Sequence, residues 1–306
     1  MSGLAGAPPL SARARLRAAA PFTIVTLIWS STWLVIRHQL GDVPAEWSVA
    51  WRFVVGAVAM AAIVAATRAP FQLPAAGHAV ALGVGLFHFA ANFQFVYRAE
   101  GLIASGLVAV LFALLLVPNA LLGRLVLGQR LSRPFLIGSG VAMAGIALLF
   151  AHEAARDPSG TGTTLAGVGL TLIAVLCASV ANILQATERA RRVAGASLLF
   201  WAMTYGAVAD AAFAWMVAGP PRIDWSAGYI GGVLYLGVIG SAVTFPLYLH
   251  VIRTIGPARA AYSSVLIPVL AMALSTLFEG YRWSVEAAAG GLLTLAGLAL
   301  ALRARG

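Results

Sequence analysis

Ten apolar runs, each long enough to cross a lipid bilayer as a helix, dominate this sequence of 306 residues. A helix needs roughly 20 mostly apolar residues to span the hydrocarbon core. Short segments that carry proline, glycine or arginine separate the runs, and strand-like alternation is absent. We therefore predict an all-α polytopic membrane protein with ten transmembrane helices. The predicted helices are 22–39, 47–66, 76–97, 102–122, 135–151, 165–187, 197–218, 229–251, 258–278 and 283–302.

The composition supports lipid as the main surrounding of this chain. Hydrophobic residues make up 61% of the sequence and charged residues only 10%. A soluble domain of this size could not cover its surface with so few polar side chains. The net charge of +10 comes from arginines that lie between the apolar runs, not on one patch, which argues against a nucleic-acid partner. The one cysteine, Cys177, excludes an intrachain disulfide.

The two halves of the chain repeat a pattern of one proline, one polar residue and two glycines. In each copy the polar residue follows the proline by eleven positions, and the glycines are seven positions apart. An internal repeat of membrane-spanning segments is typical of transporters. The first copy is Pro118, Gln129, Gly138 and Gly145, and the second is Pro268, Glu279, Gly290 and Gly297.

The arginines near the helix ends predict the orientation in the membrane. With the N-terminus inside, fourteen arginines flank cytoplasmic ends and five flank the opposite ends, so we expect both termini in the cytoplasm. Because five helices is an odd number, the second set would enter the membrane inverted relative to the first. The predicted organisation is a disordered basic tail over 1–20, a first five-helix repeat over 21–151, a linker over 152–164 and a second repeat over 165–303.

These motifs, in this order, resemble the drug/metabolite transporter superfamily and specifically its ten-helix EamA-type members. The likeness covers nearly the whole chain after residue 20, and it departs from the family pattern at Gln129, where members usually place a glutamate. A neutral amide there cannot form the same ion pair. The matching residues are Trp29-Ser30-Ser31, Arg52, Pro118, the run 256–260, Pro268 and Glu279.

The resemblance implies a secondary carrier in the bacterial inner membrane, built around a central cavity of helices 1, 3, 4, 6, 8 and 9. We expect export of small metabolites by alternating access, with amino acids, including aromatic ones, as the leading substrates. An exporter of other metabolites or drugs, and a scaffold subunit that transports nothing, remain the alternatives. We expect a monomer with no cofactor and no bound metal. No motif in the sequence indicates an enzyme.

Several polar and aromatic residues in the predicted helices are candidates for lining the cavity. Polar groups in hydrocarbon are costly, so they should face the bundle interior or a wet cavity. The structural alternative for each is a hydrogen bond or ring contact that only holds helices together. The candidate substrate-binding residues are Trp33, His88, Asn92, Phe112, Asn182, Ser241, Thr244 and Tyr262.

Three further residues, together with His88, are candidates for movement or coupling. Proline removes a backbone donor and bends a helix, so Pro118 and Pro268 are either hinges of opposite gates or static kinks. Asp210 lies well inside the seventh predicted helix, where a carboxylate is paired, protonated or solvated. Asp210 and His88 are therefore the candidates for proton coupling, with an internal structural partner as the alternative for Asp210.

Overall fold

The computed structural model describes residues 12–128, 131–156, 161–255 and 263–303, and these form ten long helices. A one-turn helix, Glu188–Arg191, also lies between the sixth and seventh. The ten are α1 (Ala12–His38), α2 (Ala45–Ala66), α3 (Ala75–Glu100), α4 (Ser105–Leu127), α5 (Arg133–Arg156), α6 (Thr161–Ala186), α7 (Gly195–Ala218), α8 (227–255), α9 (Ser263–Phe278) and α10 (Val285–Arg303).

The prediction of an all-α membrane protein with ten transmembrane helices is confirmed. Nine helices of the described part are apolar and at least 18 residues long, as membrane spans must be. The tenth, α9, is described only from Ser263 onwards and has 16 residues. The protein is therefore a multi-pass membrane protein.

Two boundaries differ from those expected. Helix α1 begins at Ala12, so residues 12–20, which we expected in a disordered tail, are helical. That segment is rich in alanine, arginine and leucine, which are strong helix formers. Helices α5 and α6 likewise extend to Arg156 and back to Thr161, so most of the expected linker 152–164 is helical.

Helices α5 and α10 pack against each other through the repeated glycines. A Cβ on Gly138 would lie 2.6 Å from the carbonyl oxygen of Gly297, and one on Gly145 would lie 2.6 Å from that of Gly290. These contacts pair residues of rising number with residues of falling number, so the two helices run antiparallel. Small residues let transmembrane backbones approach this closely. The glycines of the sequence repeat thus form one interface.

A second pair of close approaches relates α3 to α7 and α8 to α2. Both α3 and α8 contain a π-helical segment, Gly85–Ala91 and Tyr235–Val243. A Cβ on Gly85 would lie 2.6 Å from the Ala202 carbonyl of α7, and one on Gly237 would lie 2.7 Å from the Arg52 carbonyl of α2. Each wide segment therefore packs on the second helix of the opposite repeat.

Indole hydrogen bonds follow the same symmetry. Trp51 of α2 donates to the Arg222 carbonyl at 2.9 Å, and Trp201 of α7 donates to the Phe71 carbonyl at 2.7 Å. Each bond ties the second helix of one repeat to the loop after the second helix of the other. The ten helices thus form two five-helix repeats of inverted topology that interlock through α2 and α7.

The two repeated prolines differ in their local structure. Just before Pro118, α4 changes to a short 3₁₀ segment, Ala113–Leu115. The missing proline N–H leaves the Leu114 carbonyl without its usual helical donor, which explains why the tighter turn lies there. Pro268 is buried within the α-helical Ser263–Phe278. An altered turn therefore accompanies only Pro118 among the described residues of these two helices.

Candidate functional site

An aromatic cluster lies where α1, α3 and α8 meet at the π-helical segments. We define it as Trp29, His88, Phe89, Phe245 and Tyr248. The Trp29 ring lies 5.5 Å from Phe245 and 5.0 Å from Tyr248, and the His88 ring lies 5.2 Å from Phe245. Rings at such separations attract each other edge to face or tilted. The cluster therefore holds three helices together through apolar contacts at bilayer depth.

Buried polar atoms without a partner border this cluster. The indole N–H of Trp33, Nδ1 of His88 and Oδ1 of Asn92 make no hydrogen bond within the described part of the chain. His88 and Asn92 are 8% and 2% exposed. Buried polar atoms are normally paired, so such atoms indicate strain, water or a ligand. Trp33 also contacts Phe112 of α4 at 5.1 Å between ring centres, and both pack against the hydrophobic core that contains Phe89.

Ser241 and Thr244 have a structural task in α8. Ser241 donates to the Leu236 carbonyl at 2.8 Å, and Thr244 donates to the Ile239 carbonyl at 2.5 Å. Both acceptors lie five residues earlier, within the π-helical segment. In α3, the Asn92 amide donates to the His88 carbonyl at 3.1 Å. The side chains thus satisfy backbone carbonyls that the wide helix turns expose.

Asn182 of α6 contacts α4 through a side-chain hydrogen bond. Its amide donates to Oδ1 of Asn119 at 3.4 Å, beside Pro118. The structure therefore does not place Asn182 in contact with the aromatic cluster, but against the altered turn of α4. Tyr262 lies outside the described residues.

Arg52 is the interior residue whose place the sequence reasoning missed. Arg52 is 2% exposed, and its guanidinium lies 4.2 Å from the ring centre of Phe93. Nε and Nη2 face the Ser241 hydroxyl at 3.4 Å, whereas Nη1 has no partner among described residues. An arginine inside a predicted membrane helix was the signal for this position.

Asp210 has an internal hydrogen-bond partner, as the structural alternative to proton coupling predicts. It is fully buried in α7, and its Oδ1 accepts a hydrogen bond of 2.9 Å from the Gln94 amide of α3. Its Oδ2 has no partner within the described chain. The carboxylate thus joins α3 and α7 through Gln94.

A cavity of about 690 Å³, the vestibule, opens between the end of α1 and the start of α8. Asp42, Asp224 and His38 lie along it, as do Gln39 and Phe278. Asp224 accepts hydrogen bonds from the backbone N–H of Ser226 at 2.8 Å and from its hydroxyl at 2.6 Å. These bonds lower the pKa of Asp224, so this part of the vestibule stays negatively charged near neutral pH.

Comparison with known proteins agrees with this architecture. The model of the EamA-like transporter family matches residues 18–151 and 165–303. The chain belongs to the EamA-like transporter family. Both matched segments contain five helices each, and together they include almost the entire described part of the transporter.

Curated relatives and a solved structure resemble the transporter over most of its length. "Probable amino-acid metabolite efflux pump" of Salmonella typhimurium is 26% identical, over 90% of this chain and 91% of its own. "Protein PagO" of the same organism is 22% identical, over 87% and 86%. A crystal structure that is 20% identical superposes with a TM-score of 0.68 over 95% of this chain and 99% of that one. The last supports the fold alone.

Proposed function

We propose that this transporter exports amino acids, including aromatic ones, across the bacterial inner membrane by alternating access. The observation that carries the proposal is the aromatic cluster with the unpartnered polar atoms of Trp33, His88 and Asn92 beside it. An amphipathic solute with an aromatic side chain offers a ring to the cluster and hydrogen-bonding groups to those atoms. The relative named as an amino-acid metabolite efflux pump supports the same substrate class.

In this proposal the substrate lies between α1, α3, α4 and α8, and α6 and α9 complete the cavity. Trp33 and Phe112 form an aromatic wall, while His88 and Asn92 contact the polar groups of the solute. Ser241 and Thr244 act by keeping the wide segment of α8 open, and Asn182 acts next to Pro118. Tyr262 is a further candidate for contact with the substrate.

Alternating access would use the inverted repeats as two related halves, with Pro118 and Pro268 as hinges of opposite gates. The arginine distribution supports both termini in the cytoplasm, so the vestibule faces outward. We propose that one chain suffices for transport. Proton coupling through Asp210 or His88 stays a prediction, and the Gln94 bond favours the structural role for Asp210.

The test is uptake of radiolabelled phenylalanine into liposomes that contain the purified protein. We expect Trp33→Phe, which removes the unpartnered indole N–H but keeps a ring, to lower the rate several-fold. Trp225→Phe is the matched control, because the Trp225 side chain is 79% exposed and lies in the loop before α8. Equal rates for both variants would contradict the assigned role of Trp33, and an inactive wild type would contradict the substrate class.

His88→Ala and Asn182→Ala separate a carrier from a scaffold subunit. A carrier loses transport when these polar residues are removed with folding intact, whereas a scaffold keeps its function. Competition of phenylalanine uptake by other metabolites and by drugs distinguishes the two kinds of exporter. An amino-acid exporter is inhibited by amino acids alone.

A further inference from the structure

A buried carboxylate lies beside the vestibule, at the junction of α1, α3, α4 and α9. Glu100 is the last residue of α3 and is 0% exposed. Neither of its carboxylate oxygens has a hydrogen-bond partner within the described residues. Arg37 of α1 donates to the backbone carbonyl of Glu100 and not to the carboxylate. The end of α3 is therefore anchored through its backbone while its acidic side chain stays unpaired.

A second carboxylate, Glu279, faces Glu100 from the end of α9. Glu279 accepts hydrogen bonds from the backbone N–H of Ser105 at 3.1 Å, from the Ser105 hydroxyl, and from the Ser275 hydroxyl at 2.9 Å. Three donors at the start of α4 and in α9 therefore hold the Glu279 carboxylate in place. Glu100 has no such donors.

The other charged or ionisable groups facing Glu100 are Arg37 of α1, Arg52 of α2 and Tyr97 of α3. Within the described part of the chain, neither arginine lies within 4.0 Å of the Glu100 carboxylate as an ion-pair partner. By contrast, Arg98 and Glu46, which are partly exposed, form an ion pair at 2.6 Å. An ionised carboxylate that is fully buried and lacks donors is costly, and a neighbouring carboxylate adds repulsion. A bound proton removes both costs.

We propose that Glu100 binds a proton from the vestibule and releases it during the transport cycle. The proton adds to a carboxylate oxygen to form the neutral acid, and it returns to water when the site opens. The cavity does not reach Glu100, so a proton fits where an amino acid does not. The link to a cycle rests on the proposed transport, whereas proton binding stands independently.

Two residues that line the vestibule adjoin the acidic pair of Glu100 and Glu279. Gln39 lines the vestibule and accepts a 2.9 Å hydrogen bond from the Tyr97 hydroxyl, one turn before Glu100. Phe278 also lines the vestibule and directly precedes Glu279. A shift of the ends of α1 and α9 would move Gln39 and Phe278 away from the acidic pair and admit water to Glu100.

The inverted repeat does not duplicate this pair of carboxylates at the opposite gate. At the offset of 150 that relates Pro118 to Pro268, Glu279 corresponds to Gln129, and at the offset of 152 that relates Gly85 to Gly237, Glu100 corresponds to Ile252. The sequence therefore places two carboxylates at one gate and none at the corresponding positions of the other. Proton binding would then act at the vestibule end alone, and the imposed gradients would set the direction of net transport.

The test combines infrared spectroscopy with flux, using the full-length protein in liposomes. We expect the carbonyl stretch of a protonated carboxylic acid to titrate with pH in the wild type and to be lost in Glu100→Gln. Glu46→Gln, at the same end of the bundle, is the control and retains the band. If folded Glu100→Gln keeps the carboxylic acid band unchanged, the proposal is overturned. The proposal is also overturned if the band is retained in Glu100→Gln and lost in Asp210→Asn. This measurement needs no substrate, so it tests proton binding by Glu100 even if the proposed substrate class is wrong.

The flux measurement compares phenylalanine transport with and without a pH gradient. In the wild type the gradient accelerates transport, and in Glu100→Gln the rate falls to its value without a gradient. If Glu100→Gln does not fold, Glu100→Asp is measured in its place. Glu100→Asp should retain the acid band and the gradient response, and a folded Glu100→Asp without either overturns the proposal.

Discussion

Replacing Gly145 by alanine places a methyl group where α5 and α10 have no room for it. The new Cβ would lie 2.5 Å from the Thr294 nitrogen and 2.6 Å from the Gly290 carbonyl oxygen. Ordinary contacts of a Cβ begin near 3.4 Å, and these neighbours are backbone atoms that cannot rotate away. The helices must separate by about 1 Å, and an insertion of this kind costs about 1–3 kcal/mol.

Gly140 supplies the matched control on the same helix. It is exposed, and a Cβ built there meets nothing within 4 Å. In water, glycine to alanine stabilises a helix by about 1 kcal/mol. In a bilayer the unfolded reference keeps its helices, because lipid cannot satisfy free backbone groups. We therefore expect Gly140→Ala to change stability by less than about 0.5 kcal/mol.

The assay is reversible unfolding in mixed micelles, followed by tryptophan fluorescence. Gly145→Ala should lower the free energy of unfolding by about 1–3 kcal/mol relative to wild type, and Gly140→Ala should match wild type. Equal stability of the two variants would refute the claim that these glycines set the α5–α10 distance. A larger loss in Gly140→Ala would refute it as well.

Two further predictions concern the α4 turn and the start of α8. Pro118→Ala supplies the missing N–H to the Leu114 carbonyl and removes the 3₁₀ turn, so we expect slower phenylalanine transport at unchanged stability; an unchanged rate favours a static kink. Ser226→Ala removes the hydroxyl that donates to Asp224 and lowers its pKa, whereas the backbone N–H donor at this position remains. It also removes the N-cap of α8, because that hydroxyl accepts from the Tyr229 N–H at 3.3 Å. The cap is worth about 0.5–2 kcal/mol. In the wild type, the lowered pKa of Asp224 stabilises the folded protein at pH values above the pKa that Asp224 has in the unfolded chain. This stabilisation is lost as the pH falls through the pKa of Asp224 in the folded protein. Thermal unfolding across acidic pH should therefore be less pH-dependent in Ser226→Ala.

Part of the candidate site could be predicted from the sequence. Polar and aromatic residues inside apolar runs indicated Trp33, His88, Asn92 and Phe112, because such groups are costly in lipid and tend to face the bundle interior. The same reasoning could not tell that Asn182 contacts Asn119 or that Ser241 and Thr244 bond their own helix. Those contacts depend on how each helix is oriented about its own axis. A run of apolar residues does not determine this orientation.

Glu100 shows why the rest of the site needed the tertiary structure. In the sequence it follows Arg98 at a helix end, where a charged residue normally faces water. In the fold, α1, α4 and α9 cover it and bring Glu279 opposite, although the two residues are far apart in the chain. Burial and pairing of a terminal charge are properties of the neighbouring helices, not of its own segment.

The sequence by itself determined the number of helices, their membrane location and the existence of a repeat. These follow from the lengths of apolar runs and the spacing of proline and glycine, which act through local chain properties and transfer to lipid. Only the tertiary structure decided that the repeated glycines meet across α5 and α10, and that the π-helical segments of α3 and α8 pack on α7 and α2. The physical reason is that lipid provides no hydrophobic drive between helices, so close packing and buried hydrogen bonds choose the partners.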